Sequence, residues 1–183
     1  GEGGMVLTDD EELAKKARRL RDLGFLPERR FYHEELGFNF RLTNMQAALG
    51  LAQLERMDDI VARKRRMGQE YTRRLREMEA LQLPVEEPWA RSVYWMYGLV
   101  LAEEAGMDAV QLAQRLRECG VDTRPFFLGM HEQPVFQRRG LFSGEHYPIA
   151  ERLARQGLYL PSGLALTDEQ LVQVCDAVRE VLA

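Results

Sequence analysis

The chain is poor in cysteine and in long apolar runs, and both shortages exclude classes of protein. Its 183 residues include two cysteines, Cys119 and Cys175, with no CxxC motif or Cys/His cluster beside either. We therefore predict two buried free thiols rather than a redox or metal site. No stretch approaches the roughly 20 consecutive apolar residues that cross a bilayer, so we expect no membrane partner. The first residues lack the basic and apolar regions of a signal peptide, which predicts a cytoplasmic protein.

Histidine, lysine and net positive charge are scarce as well. The three histidines are too dispersed to form a spaced ligand set, so no metal is expected. A net charge of −4 argues against a nucleic-acid partner. The basic stretch Arg63–Arg66 resembles a nucleic-acid patch, but in an acidic chain a solvated helix face is favoured. The chain lacks an initiator Met and opens GEGG, so we expect it to be part of a longer protein.

The composition and the helix signals are those of a folded protein with helices and strands. Apolar residues make up 45% of the chain and charged residues 30%, which indicates a globular protein with a packed core. Capping boxes, in which Ser or Thr is followed three positions later by Glu or Gln, predict helices that begin near Thr8, Thr43 and Thr167. Short apolar runs predict strands at Met5–Leu7, Ser92–Leu101, Val121–Phe127 and Leu158–Leu160. The predicted fold class is α/β, with a small α+β domain at the end.

Three further features organise the chain: a stretch with no period, a long helical pattern and a proline-marked boundary. Residues 25–42 have no clear period, and we interpret them as a functional loop. Apolar spacing from Thr43 to about residue 79 fits one helix of roughly 30 residues, or two in line. Pro84 and Pro88 place a domain boundary near residues 79–90.

The first candidate site lies just before the helix that starts at Thr43. The amide of Asn39, the guanidinium of Arg41 and the free N–H groups of a helix start would converge there, which suits a phosphate or another anion. The alternative is structural: Arg41 pairs with a carboxylate, and Asn39 takes an unusual backbone angle in a turn.

The second candidate site is the loop DTRPFFLGMHEQPVF. Its Arg124 and His131 would hold an anionic or hydroxyl-bearing ligand, although a lone loop histidine is more often structural. Upstream of this loop, Trp95 and Tyr97 either line a site or pack in the core, and core packing is favoured for a buried strand.

Five ordered blocks of sequence resemble a known family. They are GEGGMVLTDDEELAKKARRLRDLG, LGFNFRLTNMQAALGLAQLERMDDIVARKRR, VYWMY, GVDTRPFFLGMHEQPVF and YPIAERLARQGLYLPSGLALTDEQ. Together they resemble the C-terminal half of a DegT-type sugar aminotransferase, a fold type I enzyme (aspartate aminotransferase-like) that depends on pyridoxal phosphate. Within that family they are most similar to perosamine synthases, which aminate C4 of a GDP-linked 4-keto-6-deoxy sugar.

The resemblance implies which parts of the enzyme lie in this chain and which would precede it. The family lysine would lie upstream of Gly1, so no catalytic residue is expected in this chain, which alone would be inactive. Residues 1–42 would end the large cofactor-binding domain, residues 43–79 would form a long interdomain helix, and residues 80–183 would form the small C-terminal α+β domain.

The resemblance also implies roles for the candidate residues. Asn39 would reach the cofactor phosphate of the partner subunit of a homodimer, and Arg41 would support or share that contact. His131 matches a substrate-side histidine, and Arg124 would face the diphosphate of the nucleotide sugar. Glutamate would be the amino donor.

Two alternative functions stay open at this point. Relatives with histidine in place of the lysine are sugar dehydratases that use the same cofactor, and the deciding position precedes Gly1. A second alternative is a noncatalytic or regulatory module that binds nucleic acid through its basic helix. The exact sugar, the nucleotide and the choice between C3 and C4 amination also stay open.

Overall fold

The structure is a computed structural model that describes residues 2–183, with Arg30 described by its backbone alone. It divides into two compact units, the first ending at Met57 and the second covering Asp58–Ala183. Within the described residues, no helix combines the length and the apolar composition that a membrane span requires.

The first unit contains two helices and a hairpin, namely α1 (Glu11–Arg21), β1 (Phe25–Leu26), β2 (Arg29–His33) and α2 (Asn44–Leu54). Asp10, not the predicted Thr8, caps α1, because its carboxylate accepts hydrogen bonds from the amides of Glu12 (2.9 Å) and Leu13 (3.0 Å). A negative charge is the stronger cap at the positive end of the helix dipole. Thr8 instead accepts a bond from the Asp10 amide at 3.1 Å.

Two sequence predictions for the first unit are wrong. Residues 25–42 are not a loop throughout, because β1 and β2 pair as an antiparallel hairpin with Leu26 opposite Arg29. The two residues of β1 are too few to alternate, and β2, RRFYH, does not alternate apolar with polar residues, so the sequence signal of a strand is missing. Conversely, Met5–Leu7 forms no strand and is exposed, since no described strand offers it backbone partners.

The sequence left open one helix or two over residues 43–79, and the structure has two. Thr43 caps α2 with the predicted capping box, in which its side chain and that of Gln46 exchange hydrogen bonds with each other's backbone. The helical bonding then tightens, because the amide of Arg56 bonds to Gln53, three residues back, at 3.1 Å. A second helix, α3 (Met57–Leu75), begins directly afterwards, and its acidic first turn favours a new helix start.

The second unit is an antiparallel sheet packed with helices. Its elements after α3 are β3 (Leu81–Gln82), β4 (Tyr97–Leu101), α4 (Ala109–Glu118), β5 (Arg124–Pro125), α5 (Pro134–Gln137), α6 (Pro148–Gln156), β6 (Gly157–Leu160) and α7 (Asp168–Leu182). The strand order is β3-β4-β6-β5, so Pro125 lies on an edge, as its missing N–H predicts. The strands β4 and β5 are shorter than the predicted Ser92–Leu101 and Val121–Phe127.

The core of the second unit joins α3, α4 and α7 to the sheet. Its fully buried side chains include Tyr71, Leu75, Tyr97, Leu99, Leu101, Leu112, Leu116, Leu158, Cys175 and Val178. The two tyrosines keep partners for their hydroxyls: Tyr71 donates to the carbonyl of Pro161 at 2.7 Å, and the hydroxyls of Tyr97 and Thr72 lie 2.9 Å apart. Cys175 is buried as predicted, but Cys119 is exposed because it follows the last residue of α4.

The predicted mixture of helices and strands is confirmed. The boundary between compact units falls at Met57 and Asp58, and α3 shares the core of the residues that follow it. The assignment of residues 1–42, 43–79 and 80–183 to segments of a larger enzyme stays a prediction.

Candidate functional site

The segment that carries Asn39 is attached to the end of α1 by backbone hydrogen bonds. The amide of Phe38 donates to Leu20 at 2.6 Å, and the amide of Phe40 donates to Arg21 at 2.9 Å. Asn39 forms an isolated antiparallel bridge with Asp22. The end of α1 therefore sets the position of Asn39.

A close approach of two glycines permits this attachment. A Cβ at Gly37 would lie 2.1 Å from the amide nitrogen of Gly24, which itself has a φ of +73°. Any side chain at Gly37 would push the segment away from α1, and Gly24 occupies a backbone region that disfavours L side chains. Both glycines are therefore required by the turn that presents Asn39.

Asn39 and Arg41 are brought together, as the sequence predicted. Arg41 Nε donates to Asn39 Oδ1 at 3.1 Å, and Arg41 Nη1 lies 3.1 Å from Asp22 Oδ1. The carboxylate pairing offered as the structural alternative is thus present too. The unusual backbone angle, the other part of that alternative, is absent, since the described residues with positive φ do not include Asn39.

The donors in this cluster fit a phosphate. The oxygen of Asn39 is occupied by Arg41, so the amide nitrogen, which makes no hydrogen bond among the described residues, is the group left to bind a ligand. A phosphate accepts hydrogen bonds at every oxygen, and an amide N–H with an adjacent guanidinium supplies donors for them. Asp22 holds the guanidinium in place and offsets part of its charge.

Arg124 and His131 occupy separate environments within the second unit. Arg124 is exposed on the edge strand β5 and lines a shallow cavity of about 320 Å³ with Trp95, Tyr159 and Ser162. His131 is 8% exposed, and its Nε2 lies 3.2 Å from Glu151 Oε1. No hydrogen bond or ion pair between described residues joins Arg124 to His131.

Glu151 is a polar residue of this region that sequence reasoning missed. Its Oε1 accepts a hydrogen bond from the Tyr147 amide at 2.9 Å as well as facing His131. The Tyr147 amide, followed by the His131 side chain, lowers the pKa of the Glu151 carboxyl, because both favour the charged form. The one feature of the sequence that could have drawn attention to Glu151 is its position in the first turn of α6, after Pro148.

Lys64 is the other missed residue. Its ammonium is partly buried and donates to the carbonyls of Trp95 (2.8 Å) and Ser162 (2.5 Å), and burial lowers its pKa. Both carbonyls belong to residues that line the cavity beside Arg124. Of the two aromatic residues considered from sequence, Tyr97 is buried at 1% exposure, whereas Trp95 is 70% exposed.

The basic stretch around Lys64 is largely engaged in contacts within the second unit. Arg65 pairs with Glu86 at 2.6 Å and bonds the carbonyl of Ser92, and Arg66 lies 3.4 Å from Asp168. Lys64 and Arg65 are therefore engaged within the second unit, whereas Arg66 makes an exposed ion pair of small energetic value.

With this geometry established, comparison with known proteins identifies the family. The model of the DegT/DnrJ/EryC1/StrS aminotransferase family matches residues 1–179. The chain belongs to this family. It is 37% identical to the GDP-perosamine synthase of Caulobacter vibrioides over 183 residues, covering 100% of this chain and 48% of that protein. It is 34% identical to the GDP-perosamine synthase of Escherichia coli O157:H7, covering 98% of this chain and 47% of that protein.

The fold is that of the same DegT-type enzymes. The structure superposes on the crystal structure of S. venezuelae DesV with a TM-score of 0.81 and 31% identity, covering 96% of this chain and 46% of DesV. The chain thus spans about half the length of the relatives it matches, and its fold is half of a DegT-type aminotransferase fold. Membership confirms pyridoxal phosphate as the cofactor of the family. The roles of Asn39, Arg41, Arg124 and His131 stay predictions.

Proposed function

We propose that the intact protein transfers an amino group from glutamate to a keto-deoxy sugar carried on a nucleotide, with a GDP-linked 4-keto-6-deoxy sugar as the preferred substrate. The observation that carries this proposal is 37% identity to a GDP-perosamine synthase along the whole of the chain. The family match over residues 1–179 supports an aminotransferase in general, and the named relatives support the sugar and its nucleotide.

In this proposal the first unit contributes to cofactor binding. Bound pyridoxal phosphate supplies the electron sink that lets an amino group move between donor and acceptor. Asn39 donates its amide hydrogens to the phosphate of that group in the partner subunit of a homodimer. Arg41, oriented by Asp22, adds positive charge beside the same phosphate.

The second unit contributes to binding the nucleotide sugar. Arg124, exposed beside a shallow cavity, supplies a guanidinium for the diphosphate. His131 supplies an imidazole nitrogen for the sugar. Both residues bind and orient the substrate, since the amine chemistry needs a lysine, and the resemblance places it outside this chain.

The direct test is a turnover assay with the intact protein. The protein is incubated with pyridoxal phosphate, ¹⁵N-glutamate and a GDP-linked 4-keto-6-deoxy sugar, and the nucleotide products are analysed by mass spectrometry. The expected product is an amino sugar that carries ¹⁵N, formed together with 2-oxoglutarate. A control without glutamate should give no amino sugar.

Other products would identify other functions. A sugar that has lost water and gained no nitrogen would show the dehydratase. If ¹⁵N is incorporated at C3 of a 3-keto sugar and the 4-keto sugar does not react, the substrate is a 3-keto sugar and not the one proposed here. No conversion of any keto sugar would overturn the proposal.

A further inference from the structure

The ring of His131 is held on several sides within the second unit. Its Nε2 lies 3.2 Å from Glu151 Oε1, and the ring of Tyr147 packs edge-on against it with 4.8 Å between ring centroids. Its backbone carbonyl accepts a hydrogen bond from Gln137 at 3.1 Å. The two ring contacts, with the backbone held beside them, place Nε2 toward Glu151.

Glu151 determines which ring nitrogen is left for a ligand. An ionised carboxylate only accepts hydrogen bonds, so Nε2 must carry the proton that it shares with Glu151. The same carboxylate oxygen accepts from the Tyr147 amide, which fixes the carboxylate in turn. Nδ1, which makes no hydrogen bond among the described residues, is therefore the available nitrogen, and in the neutral ring it is an acceptor.

Gly129 lies against the same edge of the ring. Its φ of −60° and ψ of 149° suit any residue, so backbone conformation does not require a glycine there. A Cβ at this position would lie 2.7 Å from His131 Nδ1 and 2.6 Å from Cε1. Since Glu151 prevents the ring from moving aside, the missing side chain keeps the Nδ1 edge uncovered.

We propose that Glu151 is a positioning residue: by holding Nε2 of His131, it presents Nδ1, above Gly129, as an acceptor for a hydroxyl group of the sugar substrate. This inference rests on the proposed function. Three ionisable groups surround the pair. Glu132 Oε2 is 4.0 Å from His131 Nε2, and His146 Nδ1 is 3.7 Å from Glu151 Oε1. Arg155, of α6, lies 2.6 Å from Glu132 Oε1 and 3.9 Å from Glu151 Oε2.

The test compares three variants of the intact protein. Glu151→Ala removes the acceptor, Glu151→Gln keeps an acceptor oxygen without the charge, and Glu132→Gln neutralises a neighbouring carboxylate that does not bond His131. The first readout needs no activity: the hydrogen-bonded Nε2–H proton of His131 is observed by NMR in histidine-labelled protein, assigned by comparison with a His131→Gln sample. The second readout is steady-state kinetics with the nucleotide sugar.

Glu151→Ala should abolish the downfield Nε2–H signal and raise the KM for the nucleotide sugar about tenfold, the effect of one hydrogen bond. The KM for glutamate should not change. Glu151→Gln should keep the signal and most of the affinity, and Glu132→Gln should keep both. Gly129→Ala should raise the same KM while the Nε2–H signal persists.

Three results would overturn the inference. The first is an Nε2–H signal that survives in Glu151→Ala, and the second is a KM that rises as much in Glu132→Gln as in Glu151→Ala. The third is an unfolded Glu151→Ala together with a Glu151→Gln variant that lacks the signal. If the wild-type protein shows the signal but forms no amino sugar, the proposed function fails while the contact stands.

Discussion

The two compact units differ in how much apolar surface they bury. In the described part of the first unit Gly24 is the one buried residue, and no apolar side chain is buried. The second unit buries apolar residues from three helices and a four-stranded sheet in one core. Both units use the same local signals, because Thr43 and Thr167 start α2 and α7 with the same capping box. Local sequence therefore starts a helix in either setting, and packing decides how much the helix contributes to stability.

The two capped helices show this difference directly. Apolar side chains of α2 that are exposed are Met45, Leu49, Leu51 and Leu54. Apolar side chains of α7 that are buried are Leu171, Val174, Cys175, Ala177 and Val178. Truncating a buried apolar side chain lowers the free energy of unfolding by several kcal/mol, whereas truncating an exposed one changes it little. Matched substitutions in the two units therefore test the comparison.

The largest expected difference is between leucine deletions in the two units. Leu112→Ala should lower the free energy of unfolding by about 2–5 kcal/mol, because this side chain of α4 is fully buried. Leu49→Ala, in α2, should change it by less than about 0.5 kcal/mol. Urea denaturation of the 183-residue chain measures both. A cost above about 1 kcal/mol for Leu49→Ala would show that α2 is packed.

The next effect concerns the polar cluster of the first unit. Asn39→Ala should weaken retention of pyridoxal phosphate by the intact protein about tenfold, because a phosphate would lose its amide donor. The fold should not change, since Asn39 packs in no core. Cofactor absorbance during titration measures the affinity, and circular dichroism checks the fold. Asn44→Ala is the matched control, and an affinity unchanged in Asn39→Ala would remove that residue from the site.

A smaller difference in the free energy of unfolding is expected between substitutions of the two capping threonines. Thr167→Ala should cost about 1 kcal/mol in the unfolding of the second unit, because α7 belongs to its core. Thr43→Ala removes a bond of the same length, 3.2 Å to the N3 amide, yet should leave that transition unchanged within about 0.5 kcal/mol. Urea transitions followed by circular dichroism measure both, and equal costs would contradict the comparison.

The smallest expected effect is the pH dependence of stability that Cys175 causes above about pH 9. Burial raises the pKa of its thiol from 9.0 to about 11, so the unfolded chain loses this proton first. Its contribution to stability should therefore be complete below pH 9 and should fall as the pH rises through about 11. Urea denaturation from pH 8 to 11 should show a shallower loss in Cys175→Ala, while the exposed-site control Cys119→Ala keeps the wild-type loss.

Local signals made much of the second unit predictable from sequence. Pro148 begins α6 and Gly157 follows its last residue, the places that proline and glycine favour at helix ends. Asp108 caps α4 through a box with Gln111, and the buried residues of α7 recur at helical spacing. Each of these features depends on residues at most four positions apart.

Features that depend on distant residues were not predictable. Lys64 was assigned to a solvated helix face, yet its ammonium bonds a carbonyl 98 positions away. Glu151 and His131 meet across 20 residues. In the candidate site, the sequence brought Asn39 and Arg41 to attention, but the role of Asp22 emerged only from the bridge between α1 and the Asn39 segment.

The sequence by itself determined the family, the class of fold and most helix starts, because ordered motifs and capping residues act over short distances along the chain. Tertiary structure alone decided which helices have a buried face, which cysteine is buried, and which nitrogen of His131 stays free. These outcomes depend on close packing between residues far apart in sequence, and a local pattern carries no information about such neighbours.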